Sequence, residues 1–219
     1  MPRLLFTKTG DAVWISHLDL MRLFQRAFKR AGLALTHTQG YNPRPSVSIA
    51  LPLSVGVESV CELLDFDLEG ECPSYDEITA RLNRVLIPGV QVLQTYGECS
   101  KIKELSLLSS RITLEYDAGV PDYAQPSISE LFRKDSLMVE KKGKNGIVQQ
   151  DIIPMIRKLD ISQLDTHALQ INALICCQNP TLNPAQIVSA INSNLPQYAP
   201  NLAKYCRMDI YTAQEKQFR

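Results

Sequence analysis

The chain has 219 residues, 45% of them hydrophobic and 21% charged, and its 23 basic and 23 acidic side chains cancel to a net charge of zero. This is the make-up of an ordinary globular protein, long enough for one large domain or two small ones. No apolar run approaches the roughly 18 residues that cross a bilayer, and the N-terminal MPRLLFTKTG breaks too early for a signal-peptide core, so a cytoplasmic protein is expected.

Residues 3–8 (RLLFTK) read as a strand, followed by a turn at Thr9-Gly10-Asp11. Ser16, three residues before Asp19, opens a helical run to about Ala31, and Gly32 stops it. Residues 35–38 look extended, and Gln39-Gly40-Tyr41-Asn42-Pro43-Arg44-Pro45 is too rich in Gly and Pro for regular structure. Strands follow at 46–51 and 60–68. A helix from Ser74 to about Ile87, capped by Ser74 with Glu77 three residues on, ends at Pro88-Gly89, and 90–96 is a strand. In order this is β-α-β-β-α-β.

The second half repeats the scheme. Strands are expected at 111–116, 137–141, 147–150, 166–177 and 205–212, with a short helix at 126–134. A second helix, capped by Asn183 with Pro184 at its first position, runs to about Ser193. Residues 151–162, interrupted by Pro154, carry no assignment. The economical reading is an α+β chain of two ferredoxin-like (split βαβ) domains with antiparallel sheets, residues 1–100 and 108–219, joined near Glu98 to Ser109. The six cysteines form no C-x-x-C pair and no ligand set with histidine. They read as reduced structural thiols, with Cys176 and Cys177 in a buried strand, and no metal is expected.

The zero net charge hides a polarity. Residues 1–50 carry seven Lys/Arg against Asp11 and Asp19, while residues 51–100 carry Arg81 and Arg84 against nine acids. Either the basic segment meets an external anion or the two segments neutralise each other in the fold. On the first helix, Leu20, Phe24, Ala27, Phe28 and Ala31 project to one side, and Arg22, Arg26, Lys29 and Arg30 fall within about a quarter-turn opposite, with only Asp19 as an acidic neighbour. Such a stripe suits phosphates, or else is a solvated face. The loop would hold Gln39, Tyr41, Asn42 and Arg44, a ring, amides and a guanidinium suited to unpaired RNA bases and backbone, unless Tyr41 packs into a core edge. His17 and Asp19 form an H-x-D pair at the helix start, but two such ligands point apart. His37 and His167 are isolated. Asp65 and Asp67 read as a solvent-facing row. Lys141, Lys142 and Lys144 read as a hairpin tip. Walker A, G-x-S-x-G, H-E-x-x-H and G-x-G-x-x-G motifs are all absent.

The ordered string Ser16-His17-Leu18-Asp19, then Arg22, Arg26 and Arg30-Ala31-Gly32, then the Gln39 to Pro45 loop, and finally Leu51-Pro52-Leu53-Ser54-Val55-Gly56-Val57-Glu58-Ser59, resembles a known pattern. It is that of a bacterial radical-SAM-associated family of unknown function, whose members lie adjacent or fused to a cobalamin-binding-type radical-SAM protein. The resemblance covers most of the chain, with its specific motifs in residues 3–60. It implies a radical-SAM partner and, from gene neighbourhoods with a G/E-type ribonuclease and ribosomal proteins, a role in tRNA, rRNA or ribosome metabolism. S-adenosylmethionine, the iron–sulfur cluster and any cobalamin would then sit in the partner, since this chain has no C-x-x-x-C-x-x-C cluster. The paired layout is also similar to that of CRISPR repeat-processing endonucleases, a likeness of fold only. Three functions remain open: a non-catalytic RNA-binding or substrate-presenting subunit, a protein-interaction module docking the partner, or a metal-independent RNA-processing enzyme. The last would use His17 as acid or base, with Tyr41 or Arg44 steadying the phosphate.

Overall fold

A computed structural model describes residues 1–97, 99–143 and 146–219, without the side chains at 142 and 143. Glu98 in the expected junction, the Lys142 side chain and Lys144 at the hairpin tip therefore lie outside the described residues. The chain is mixed α+β, with four α-helices among the described residues and antiparallel strand pairing, and its contacts divide it into Met1–Ile102 (with Arg219) and Lys103–Phe218.

The first unit contains β1 (Arg3–Lys8), a 3-10 turn (Gly10–Trp14), α1 (His17–Arg30), β2 (Val47–Ile49), β3 (Glu58–Phe66), α2 (Tyr75–Asn83) and β4 (Val90–Tyr96). The strand order is β4-β1-β3-β2, each neighbour antiparallel to the next. α1 starts where the Ser16 hydroxyl accepts from the Asp19 amide at 3.2 Å. It ends in a Schellman motif. Gly32 takes φ +70°, its amide donates to the Lys29 carbonyl, and the Leu33 amide donates to the Phe28 carbonyl at 2.9 Å. Leu20, Phe24, Ala27 and Phe28 are buried, as the 3.6-residue spacing requires. Phe24 meets Phe6 of β1 edge-on with ring centroids 4.7 Å apart, and Phe28 meets Phe66 of β3 at 5.0 Å. Ile78 and Leu82 of α2 close the same core.

The acidic strand does not present the solvent-facing row its alternation suggests. Glu62 is fully buried. Asp65 takes both Nε and a terminal nitrogen of the buried Arg3, at 2.5 and 3.0 Å, across the β1–β3 pair. Only Asp67 of the three is exposed, and it accepts from the Thr36 hydroxyl. The cause is position. Cys61, Glu62, Leu63 and Leu64 are all buried, so both faces of β3 are covered and its carboxylates need internal partners.

The second unit contains β5 (Leu105–Glu115), α3 (Ala124–Leu131), β6 (Met138–Gly143), β7 (Gly146–Asp151), β8 (Ile156–Gln163), β9 (Ala168–Cys176), α4 (Pro184–Asn194) and β10 (Leu202–Thr212). Its sheet runs β10-β5-β9-β8, and β6 and β7 form a separate two-stranded ribbon. The unassigned stretch 151–162 therefore supplies a sheet strand, while the expected strands at 137–141 and 147–150 are an insertion. Pro154 is absorbed in the 3-10 turn Ile153–Met155, and a register shift between Ile156 and Lys158 breaks the alternation that would have marked β8. α4 begins with a capping box. The Asn183 side chain accepts from the Ala185 amide, and Gln186 accepts from the Asn183 amide. Cys176 and Cys177 are buried, and burial pushes the Cys177 thiol up to about 12, so it stays protonated.

Two positions test this account. Gly89 sits at φ +83°, its carbonyl accepts from the Thr9 amide at 2.8 Å, and a Cβ there would lie 2.3 Å from the Thr9 oxygen. Gly70 has a similar φ of +73° but open space around it. Gly70→Ala is expected to lower stability by about 1 kcal/mol and Gly89→Ala by more than about 3 kcal/mol, read from denaturant midpoints. Asp65→Ala, which strands the buried Arg3 guanidinium, is expected to cost about 3–5 kcal/mol by the same measurement.

Candidate functional site

α1 has one available face. With its inner side fixed on β1 and β3, the 100° step per residue places Leu18, Arg22, Arg26, Lys29 and Arg30 on the outside, and all five are exposed. The four cations differ in what holds them. Arg22 is paired with Asp19 at 2.9 Å. Arg30 donates to the Val85 carbonyl at 2.7 Å and so ties α1 to the end of α2. Arg26 and Lys29 make no hydrogen bond or ion pair among the described residues. The acids of β3 do not neutralise the stripe, because the pair that forms there is Asp65 with Arg3.

At the helix start, Asp19 belongs to the cap. The Ser16 hydroxyl donates to its carboxylate at 2.7 Å, and Arg22 takes the other oxygen. The Ser16 hydrogen bond first, and Arg22 second, hold the Asp19 carboxyl below the ordinary carboxylate range. His17 is half-exposed at the first position of α1. Beside it, Trp14 is 71% exposed, with its ring against Gly56, whose amide donates to the Val13 carbonyl at 2.9 Å. Leu18 and Val55 add exposed apolar surface at the same end.

At the other end of α1 the chain turns back and the loop begins. His37 and Pro45 form a β-bridge, the Thr38 amide donates to the Arg44 carbonyl at 2.8 Å, and the Arg44 amide donates to the Thr38 hydroxyl at 3.0 Å. The loop is thus cinched at its base, with Gly40 at φ +140° in its arc. Gln39, Tyr41, Asn42 and Arg44 are all exposed, and Tyr41 is 101% exposed, so it does not pack into a core edge. Beside the base of this loop lies an open groove of ≈ 520 Å³. Gln25 and Lys29 of α1 form one wall, Leu33, Ala34 and Leu35 the floor, and His37, Pro45 and Glu69 the other wall. His37 Nδ1 stands 3.9 Å from a Glu69 oxygen.

The site residues expected from sequence therefore fall into two groups. Lys29 lines the groove, with Arg22, Arg26 and Arg30 on the same exposed face of α1, while Gln39, Tyr41, Asn42 and Arg44 stay in the exposed loop whose base, at His37 and Pro45, meets the groove. His17 and Asp19 sit about 15–18 Å from Lys29 along the helix axis, at roughly 1.5 Å per residue. No wall of the groove brings His17 toward the loop. Sequence reading missed Gln25, Ala34 and the pairing of His37 with Glu69, and it noted Glu69 only as one of an acidic set. These come from four separated segments, and only His37 carried a local signal. Among the described residues there is no cluster of three or more His, Cys, Asp or Glu that could hold a metal ion, and no helix is long and apolar enough to cross a membrane.

Residues 2–184 match the model of a family described as an uncharacterized protein conserved in bacteria (DUF2344), and the chain belongs to that family. No curated protein matches it. Among solved structures, a chain of a Cbf5–Nop10–Gar1 complex is similar at 8% identity and a TM-score of 0.48, over 95% of this chain and 48% of that one. The chain thus spans about half the length of that relative. An unknown protein from Galdieria sulphuraria is similar at 8% identity and a TM-score of 0.26, over 97% of each chain.

Because the Ser16 hydroxyl is the leading cause of the low Asp19 titration, Ser16→Ala is expected to move that titration upward in a carboxyl NMR experiment. The same change should cost about 1 kcal/mol through the lost cap. The sign follows from the depressed folded-state value: the Asp19 contribution is present at neutral pH and is lost as pH falls through its titration.

Proposed function

We propose that this chain is a non-catalytic RNA-binding, substrate-presenting partner of a radical-SAM enzyme in tRNA, rRNA or ribosome metabolism. The observation that carries the RNA part is the pairing of two cations without ion-pair partners, Arg26 and Lys29, with a cinched loop that holds Tyr41 wholly in solvent. A cationic row supplies phosphate affinity without reading sequence, and an exposed ring beside it supplies stacking for an unpaired base. We read each unit as a split βαβ domain, which is what the orders β4-β1-β3-β2 and β10-β5-β9-β8 support. The radical-SAM partner rests on the resemblance of the Ser16 to Ser59 motifs. S-adenosylmethionine, iron–sulfur and cobalamin chemistry belong to that partner in this reading.

A second reading has its own observation. Trp14, Leu18 and Val55 expose apolar surface at the start of α1, and an exposed tryptophan is a common anchor of protein interfaces. On that reading the helix docks the radical-SAM partner directly, with no RNA between them. The RNA-processing reading is weaker, because His17 stands at the end of α1 away from Tyr41 and Arg44.

The double change Arg22→Glu/Arg26→Glu is expected to weaken binding of tRNA or rRNA fragments at least about tenfold and to flatten its dependence on salt, by fluorescence anisotropy. Tyr41→Ala should weaken single-stranded RNA by about 1–3 kcal/mol. Arg30→Ala should change affinity less, since its guanidinium is engaged with Val85. Unchanged binding in the double variant would remove the RNA reading. Partner capture that survives RNase and fails in Trp14→Ala would favour direct docking.

A further inference from the structure

We infer that the groove beside the base of the loop is a pocket for a single unstacked nucleobase of single-stranded RNA, selecting bases that carry an exocyclic amine over uracil. The inference rests on the RNA-binding reading above and adds to it where the strand is read. At ≈ 520 Å³ the groove lies within the range of roughly 300–1,000 Å³ typical of small-ligand sites. It is large enough to take a nucleobase. Leu33, Ala34 and Leu35 form its floor and Pro45 stands in the wall opposite α1, an apolar lining suited to the face of an aromatic ring.

The walls differ in chemistry. On the helix side Lys29, which has no ion-pair partner among the described residues, meets the backbone of an entering nucleotide, with Arg26 one turn back for the neighbouring phosphate. On the opposite side the Glu69 carboxylate and His37 stand together, 60% and 51% exposed at the side chain, so both remain open to a ligand. A carboxylate only accepts hydrogen bonds, and its natural partner on a base edge is an exocyclic amine, such as N4 of cytosine or N6 of adenine. Uracil presents the O4 carbonyl in place of that amine and offers Glu69 only its N3–H, so it loses the amine hydrogen bond and sets an acceptor beside the carboxylate. Gln25 adds an amide that both donates and accepts. Charge thus separates the two walls: cation toward the backbone and carboxylate toward the base edge. On the loop that ends at Pro45, the exposed Tyr41 offers a platform for the adjacent base.

The test is anisotropy with oligo-C, oligo-A and oligo-U decamers and an RNA duplex of the same length, using wild type, Ala34→Phe and Glu69→Gln. Ala34 is an exposed residue on the groove floor, so the larger ring fills the pocket without entering the core. Wild type should prefer oligo-C and oligo-A to oligo-U by at least about fivefold. Ala34→Phe should lose about tenfold or more on oligo-C and oligo-A, while its duplex affinity stays within about twofold. Glu69→Gln, which leaves the groove open, should narrow the preference over oligo-U. Equal affinities for the three decamers, a selectivity that survives Glu69→Gln, or a folded Ala34→Phe variant that binds oligo-C as wild type does would each overturn the pocket alone. Should Ala34→Phe not fold, the Glu69→Gln comparison decides. Wild type that binds no RNA of any kind would overturn the preceding reading as well.

Discussion

The contact between α1 and the first sheet governs what the rest of the first unit presents. Phe24 and Phe28 enter the core against Phe6 and Phe66, and each such burial is worth roughly 2–3 kcal/mol. Repulsion among exposed cations a turn apart is worth only a few tenths of a kcal/mol. The helix therefore cannot rotate to relieve its charged stripe, and Arg22, Arg26 and Lys29 stay in solvent. Both ends are fixed as well, by the Ser16 cap and by the Gly32 turn. That turn sends Leu33, Ala34 and Leu35 back beside the helix, and Leu35 bridges Leu68. One packing decision thus produces the stripe, the groove floor and the base of the loop.

Charge is distributed by the same logic. Taken as segments, the acidic 51–100 looks like the complement of the basic 1–50, yet the folded unit does not use it that way. Asp65 is turned inward to satisfy Arg3, whose guanidinium also reaches the Ser100 carbonyl, and Glu77 pairs with Arg81 along α2. Glu58 accepts from the Gly10 amide and Asp67 from the Thr36 hydroxyl. These four acids are engaged locally, by groups a strand or a turn away. Glu71 and Asp76 stay exposed on the surface, and Glu69 is kept close to His37, so among the described residues the acids of this segment do not pair with the stripe on α1.

Elements with one dominant periodic signal were legible in the sequence. α1 was, because its apolar and basic residues separate cleanly at 3.6 residues per turn and both caps are residue-specific. The caps of α2 and α4, at Ser74 and Asn183, were legible for the same reason. β8 was not. A proline precedes it and a register shift interrupts it, so neither period survives at the sequence level. β5 begins at Leu105, earlier than the clean alternation from Arg111, because Leu107 and Leu108 are consecutive buried residues across an irregular register. The candidate site divided likewise. Its helix and loop residues were visible as local composition. The groove was not, since residues from α1, from the turn after it, from the loop base and from position 69 converge only through tertiary pairing. The pairing of Asp65 was hidden too, because alternation alone does not reveal that Arg3 lies opposite it on β1.

In the proposed RNA-binding reading, the arrangement separates two tasks that a nucleic-acid surface must combine. Arginines and lysines spaced a turn apart attract a phosphate backbone but respond to every strand alike, and salt weakens them all together. Discrimination needs groups whose direction is fixed, because a misplaced acceptor or an unmatched ring has to cost free energy. Tyr41 and Asn42 lie in a loop tied at its base by two hydrogen bonds and a bridge, and Glu69 is set beside the chain by its amide donating to the Ala34 carbonyl at 2.8 Å. Lys29 belongs to both tasks, being at once part of the stripe and part of the groove wall. A strand drawn along α1 by charge would therefore arrive at the groove already oriented. In the proposed reading, the short distance from stripe to groove, set by the Gly32 turn, would couple capture to reading.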